Sequence, residues 1–86
     1  MKLKDKVAIV TGGSRGIGRA VVAELARQGA LVFFTYHRNA DAAAETEKAT
    51  GARKLLCPQT DAETIVKTAE AVVADAGRID ILINNA

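Results

Sequence analysis

The residues whose types and spacing suggest chemistry sit near the start of the chain, in Thr11-Gly12-Gly13-Ser14-Arg15-Gly16-Ile17-Gly18. Gly12, Gly16 and Gly18 each suit a separate physical task. Gly12 permits a sharp turn off a strand, Gly16 lets a pyrophosphate approach the backbone, and Gly18 allows the following helix to lie close to a sheet. The free amides at a helix start, together with the positive end of its dipole, favour an anion there. Gly13, Ser14, Arg15 and Ile17 lie inside the same loop and complete the candidate phosphate-binding set. A glycine-rich turn that merely connects two elements is the plainer alternative. The loop's place after a first strand and before a first helix argues against it. A Walker-type phosphate loop is excluded, because Arg19-Ala20 rather than Lys-Ser or Lys-Thr follows the last glycine.

The elements that must position this loop alternate along the chain. Val7-Ala-Ile-Val10 is a short apolar run with the pattern of a strand covered on both faces. From Ile17 the spacing turns helical, with Ile17, Val21 and Leu25 four apart and Ala20 beside them, while Arg19, Glu24, Arg27 and Gln28 supply polar positions. Gly29 ends that helix. Leu31–Tyr36 is a second strand, Asn39–Thr50 a second helix stopped by Gly51, and Lys54–Cys57 a third strand ended by Pro58. Thr60-x-x-Glu63 has the form of a capping box before a periodic run with Ile65, Ala69, Val72 and Val73, which closes at Gly77. Ile79–Ile83 is a fourth strand, followed by Asn84-Asn85-Ala86. The order β-α-β-α-β-α-β predicts an α/β fold: a parallel sheet wound by right-handed crossovers, strand order 3-2-1-4, with the first two helices on one face and the third on the other.

The bulk composition narrows the function classes. In 86 residues, 49% are hydrophobic and 26% charged, which predicts a packed core in a single domain. Net charge is +2 from 12 basic and 10 acidic residues, interspersed, so no basic stripe suggests nucleic acid. Cys57 is the only cysteine, and no His or Cys cluster offers metal-ligand spacing. A reducing cytoplasm fits this usage. The opening residues are basic, but the apolar run behind them is too short for a signal-peptide core, and no stretch reaches the roughly 20 apolar residues that span a bilayer.

From Thr11 to Gly18 the chain resembles the short-chain dehydrogenase/reductase family, matching its Thr-Gly-x-x-x-Gly-x-Gly pattern at every fixed position. Asn84-Asn85-Ala86 matches the first three residues of the Asn-Asn-Ala-Gly motif that follows the family's fourth strand. The resemblance implies a Rossmann-type fold that binds a nicotinamide dinucleotide. Within the family, Thr11 to Ala20 is most similar to the 3-oxoacyl-(acyl carrier protein) reductases. The expected substrate is then a small or acyl-carrier-bound carbonyl compound, and the expected full-length assembly a homo-oligomer.

The end of the second strand bears on which dinucleotide. NAD-selecting proteins place Asp or Glu there to bond the ribose 2′-hydroxyl and repel a 2′-phosphate. This chain has Thr35-Tyr36-His37-Arg38, with no acidic residue before Asp41. Arg15 and Arg38 are placed to grip a 2′-phosphate from two sides, so NADP, with NADPH as donor, is expected over NAD. His37 has no carboxylate to orient it as a base; the resemblance puts it near the adenosine, as a contact. After its third strand the family usually has Asp or Asn against adenine, where this chain has Pro58. Either the Gln59 amide takes over or adenine is held by apolar packing. Asn85 corresponds to the family asparagine near the cofactor ribose, while Asn84 is expected to tie strand ends together.

The family's hydride chemistry uses a Ser and a Tyr-x-x-x-Lys pair on one helical face. Neither is present: the only tyrosine, Tyr36, is followed four residues later by Ala40. The reading is therefore a cofactor-binding segment of a single domain expected to continue past Ala86, leaving the sheet incomplete and its fourth strand an uncovered edge. The alternative is a non-catalytic nucleotide-binding half-fold.

Overall fold

In the computed structural model, which describes residues 2–13, 16–57 and 62–85, the backbone follows the expected alternation. The elements are β1 (Val7–Thr11), α1 (Gly16–Arg27), β2 (Leu31–Tyr36), α2 (Ala40–Thr50), β3 (Arg53–Leu56), α3 (Ala62–Ala76) and β4 (Ile81–Asn84). Among the described residues the strands form one sheet in the order β3-β2-β1-β4, every neighbouring pair parallel. The strand order inferred from winding is the one observed.

Successive side chains of a strand point to opposite faces, and this splits the apolar residues of β1 and β2 into two cores. Ala8, Val10, Val32 and Phe34 pack with Val22 of α1 and Ala43 of α2. Val7, Ile9 and Phe33 pack with Val72 of α3, flanked by Ala69 and Ala76. Helices α1 and α2 thus share one face and α3 covers the other. Among the described residues β4 pairs only with β1, and Leu82, on its α3 side, is 61% exposed.

Several element boundaries and two helix faces differ from the sequence expectation by a residue or two. Helix α2 begins at Ala40 because Asn39 is its cap: the Asn39 side chain accepts from the Ala42 amide at 2.9 Å. Strand β3 begins at Arg53, whose guanidinium lies over the Phe33 ring and pairs with Asp75 of α3 at 2.8 Å. Cys57 falls just past the strand. Strand β4 begins at Ile81 rather than Ile79, since the Asp80 carboxylate takes a 2.8 Å hydrogen bond from the Val7 amide in place of a strand carbonyl.

Helix α1 is rotated about its axis relative to the expected Ile17-Val21-Leu25 stripe. Its deepest residues are Gly18 and Val22, four apart on one face, with Val21 and Leu25 beside them, while Ile17 is 76% exposed. On α3, Val72 is buried and Val73, one step round the helix, is exposed. The capping box proposed at Thr60 lies outside the described residues; Glu63, its other member, pairs with Lys67 at 3.4 Å. No helix among the described residues is long and apolar enough to cross a membrane.

Candidate functional site

The carboxyl ends of β1, β2 and β4 meet at the glycine turn, and three sets of contacts fix it. The first comes from β2. The Gly12 amide donates to Thr35 Oγ1 at 3.0 Å and the Gly13 amide to the Thr35 carbonyl at 3.1 Å. The second comes from β4. Thr11 Oγ1 donates to Asn84 Oδ1 at 3.0 Å and accepts from the Asn85 amide at 2.9 Å, while Asn85 Nδ2 donates to the Gly12 carbonyl at 3.3 Å. Asn84 therefore ties strand ends together, as expected.

The third is the packing of α1. A Cβ built on Gly18 would fall onto the Gly12 carbonyl oxygen, well inside van der Waals contact, and within 2.6 Å of Asn85 Nδ2. Only glycine lets the helix approach this closely, which is the task the spacing suggested for it. Gly12 itself has φ of 70°, a left-handed turn that glycine adopts without strain.

Gly13 differs from its neighbours. It is buried, and a Cβ there would stand 2.6 Å from Phe34 Cβ and 2.8 Å from Val22 Cγ2. The structure gives it a packing task beneath the loop, wedged between β2 and α1. Gly16, by contrast, is exposed, with nothing within 4 Å of where a Cβ would be, and the first turn of α1 carries no acidic residue. The start of α1 therefore has open space and no competing carboxylate, and it presents amides of the kind that bind an anion. Ser14 and Arg15 lie outside the described residues.

On the α3 side an apolar cleft of about 320 Å³ is lined by Ile9, Cys57, Ile65 and Leu82, and it reaches Gly12 and His37. Such a cleft, at the carboxyl ends of parallel strands where the chain winds in opposite directions, is where open α/β sheets bind ligands. His37 is exposed at its edge. Arg38 is also exposed and lines a separate open concavity with Asn39, Ala40 and Asp41 at the start of α2. Cys57 is buried, its Sγ 3.9 Å from Thr68 Oγ1, in keeping with a small core residue. Pro58 and Gln59 lie outside the described residues. Ile17 touches neither concavity and points to solvent at the helix start.

The structure thus joins Gly12, Gly18 and Asn85 in one contact set and brings His37 to the same cleft as Gly12. Two threonines to which the sequence assigned no bonding task organise the set: Thr11, the first fixed position of the glycine pattern, as a hydroxyl junction, and Thr35 as the partner of the loop amides. The signal of Thr35 was slight, a threonine at the end of a strand being common for its β propensity alone. Among the described residues no group of three or more His, Cys, Asp or Glu is arranged to hold a metal ion.

Among the described residues, the ionisable groups with displaced pKa values lie away from this site. Asp80, at the amino end of β4, is held below its ordinary value chiefly by the hydrogen bond from Val7, with help from Arg78 at 2.9 Å. Glu24 on α1 is lowered to about 2 by hydrogen bonds from Arg27 and then Gln28. Glu47 is lowered by the Lys54 amide and then the Lys54 ammonium, a pair of contacts that fastens α2 to the edge strand β3.

A parallel sheet in the order 3-2-1-4, a glycine turn leading into α1 and a cleft reaching the carboxyl ends of the strands together define a doubly wound α/β protein of the Rossmann type. The short chain dehydrogenase family model matches residues 6–86, and the chain belongs to that family. It is 46% identical to the short-chain dehydrogenase/reductase FrzI of Cladobotryum sp over 98% of its length, and 42% identical to the 3-oxoacyl-[acyl-carrier-protein] reductase FabG of Vibrio harveyi over 100% of its length. The chain spans about a third of those relatives, 34% and 36%. A solved metagenomic short-chain oxidoreductase in complex with NADP superposes on all of the chain with a TM-score of 0.91 and 35% identity, the match covering 41% of that structure.

Proposed function

We propose that the chain is the NADP(H)-binding part of an oxidoreductase that reduces 3-oxoacyl or similar carbonyl compounds. The observation that carries this reading is the Gly12 turn, fixed by Thr35, Asn85 and Gly18 at the open start of α1. In this reading the amides around Gly16 bind the pyrophosphate, aided by the helix dipole. Asn85 keeps the Gly12 carbonyl turned away from the phosphate and lies beside the ribose. His37 contacts the adenosine, with Pro58 and Gln59 near the adenine. When bound, NADPH supplies the hydride; the chain's own residues bind and orient it.

Preference for NADP rests on the end of β2. Tyr36-His37-Arg38 contains no carboxylate to repel a 2′-phosphate, and Arg38 is solvent-exposed where a phosphate has access. Arg15 is proposed as its partner on the loop side. The NADP-bound metagenomic structure and the name of the Vibrio harveyi relative support the cofactor and the acyl-carrier-bound substrate. A cytoplasmic homo-oligomer belongs to the same proposal.

The test is fluorescence titration of NADPH and NADH with wild-type chain, Arg15→Ala and Arg38→Ala. The expected outcome is a loss of NADPH affinity of at least about tenfold in each variant, as for a charge-assisted hydrogen bond, with NADH little changed. Equal losses for both nucleotides would remove the 2′-phosphate argument.

A further inference from the structure

We propose that Thr35 is a positioning residue, whose hydroxyl sets the glycine turn and links the pyrophosphate end of the site to the adenosine end; this rests on the dinucleotide reading above. The register of β1 with β2 runs from Val7↔Leu31 to Val10↔Phe34. Beyond it the chain turns at Gly12, where a strand-to-strand partner for the amide is lost. Thr35 Oγ1 supplies that partner at 3.0 Å, and the Thr35 carbonyl takes the next amide, Gly13, at 3.1 Å.

One residue of β2 therefore holds two consecutive amides of the turn. The Gly12 carbonyl is in turn held by Asn85 Nδ2, so both polar backbone groups of Gly12 are bonded to side chains, one from each neighbouring strand. Thr35 is 7% exposed, which strengthens the bond and raises the cost of losing it. Two residues further along, His37 reaches the same cleft as Gly12 and Thr35. A shift of the Thr35 hydroxyl is thus a shift of Gly12 relative to the adenosine end of β2. The group acts through Gly12 and touches no reacting atom.

The test uses Thr35→Val, which keeps the β-branched shape but lacks the hydroxyl, beside Thr35→Ser, which restores it. Amide hydrogen exchange by NMR on the free chain reads the Gly12 N–H directly. Thr35→Val is expected to speed exchange at Gly12 by about 5- to 10-fold, the size of one net hydrogen bond, while Val10 and Phe34 are unchanged. The dissociation constants of NADPH and NADH are both expected to rise by the same factor of about 5 to 10, and Thr35→Ser to return them to within about 2-fold of wild type. If Thr35→Val does not fold, as judged by circular dichroism, Thr35→Ala repeats both measurements. Unchanged Gly12 exchange, or faster exchange with unchanged nucleotide affinity, overturns the inference. No binding of either nucleotide by the wild-type chain overturns the dinucleotide reading itself, and that control separates the two failures.

Discussion

Replacing Gly18 by alanine sets two known effects against each other. Alanine is favoured over glycine in a helix by about 1 kcal/mol, so on propensity alone the variant gains stability. The added methyl, however, lands on the Gly12 carbonyl oxygen and within 2.6 Å of Asn85 Nδ2. Both neighbours are constrained: the carbonyl is backbone, and the amide is engaged in a 3.3 Å bond to that same oxygen. Helix α1 must move out, loosening Val22 against Phe34 in the core beneath. Overpacking costs about 1–3 kcal/mol and the displaced Asn85 bond about 1 kcal/mol more, for a net loss of about 1–3 kcal/mol after the helix gain. A domain of this size is stable by roughly 4–13 kcal/mol, and each kcal/mol moves Tm by about 4–8 °C. Thermal unfolding followed by circular dichroism should therefore show Gly18→Ala melting about 5–20 °C below wild type. A Tm equal to or above that of wild type would mean that helix propensity wins, and that α1 does not press on the Gly12 carbonyl.

Three further outcomes follow from the same contacts. Phe34→Ala, which empties the space under Gly13 and beside Val22, is expected to cost about 3–5 kcal/mol in urea unfolding; a cost below about 1 kcal/mol would contradict the packing at that point. Asp80→Asn should destabilise the chain at neutral pH and make it less sensitive to acid. The native Asp80 value is depressed below 3.8, so its contribution is complete above that pH and is lost as pH falls through the lowered value. Urea midpoints measured from pH 7 to pH 2 should differ between wild type and Asp80→Asn near neutrality and draw together below pH 3.8, while Glu24 and Glu47, whose values are also lowered, weaken both chains alike in acid; parallel curves would refute the Asp80 assignment. Asn85→Ala, which frees the Gly12 carbonyl, should weaken NADPH by about 2- to 10-fold in titration, and an unaltered affinity would show that the β4 side of the turn is not needed.

The fold was legible because its signals are local and repeated. Apolar runs such as Leu31–Tyr36 fix strands buried on both faces, and glycines fix helix ends, after which the handedness of crossovers leaves one strand order. The misplacements have two kinds of cause: a local cap, as at Asn39, and a tertiary contact that overrides the local pattern. The rotation of α1 that exposes Ile17 is set by Gly18 meeting Gly12, and the late start of β4 by Asp80 bonding Val7, 73 residues away in sequence. Site residues show the same division. The glycine spacing named Gly12 and Gly18 correctly as backbone positions. Gly13 falls in the same loop, and its burial between Phe34 and Val22 depends on two elements that only the folded chain brings together. Thr35 is separated from Gly12 by 23 residues, and its hydroxyl is invisible to a reading that sees a β-favouring residue in a strand.

The most direct measurement is a titration of the isotopically labelled chain with NADPH, followed by amide NMR. The account predicts that the first resonances to move are Gly12, Gly16 and Asn85, together with His37 and Arg38, while Val7 and Asp80 at the opposite end of the sheet stay in place. Saturating NADPH that shifts no resonance at the glycine turn, or shifts only residues at the amino ends of the strands, would contradict it.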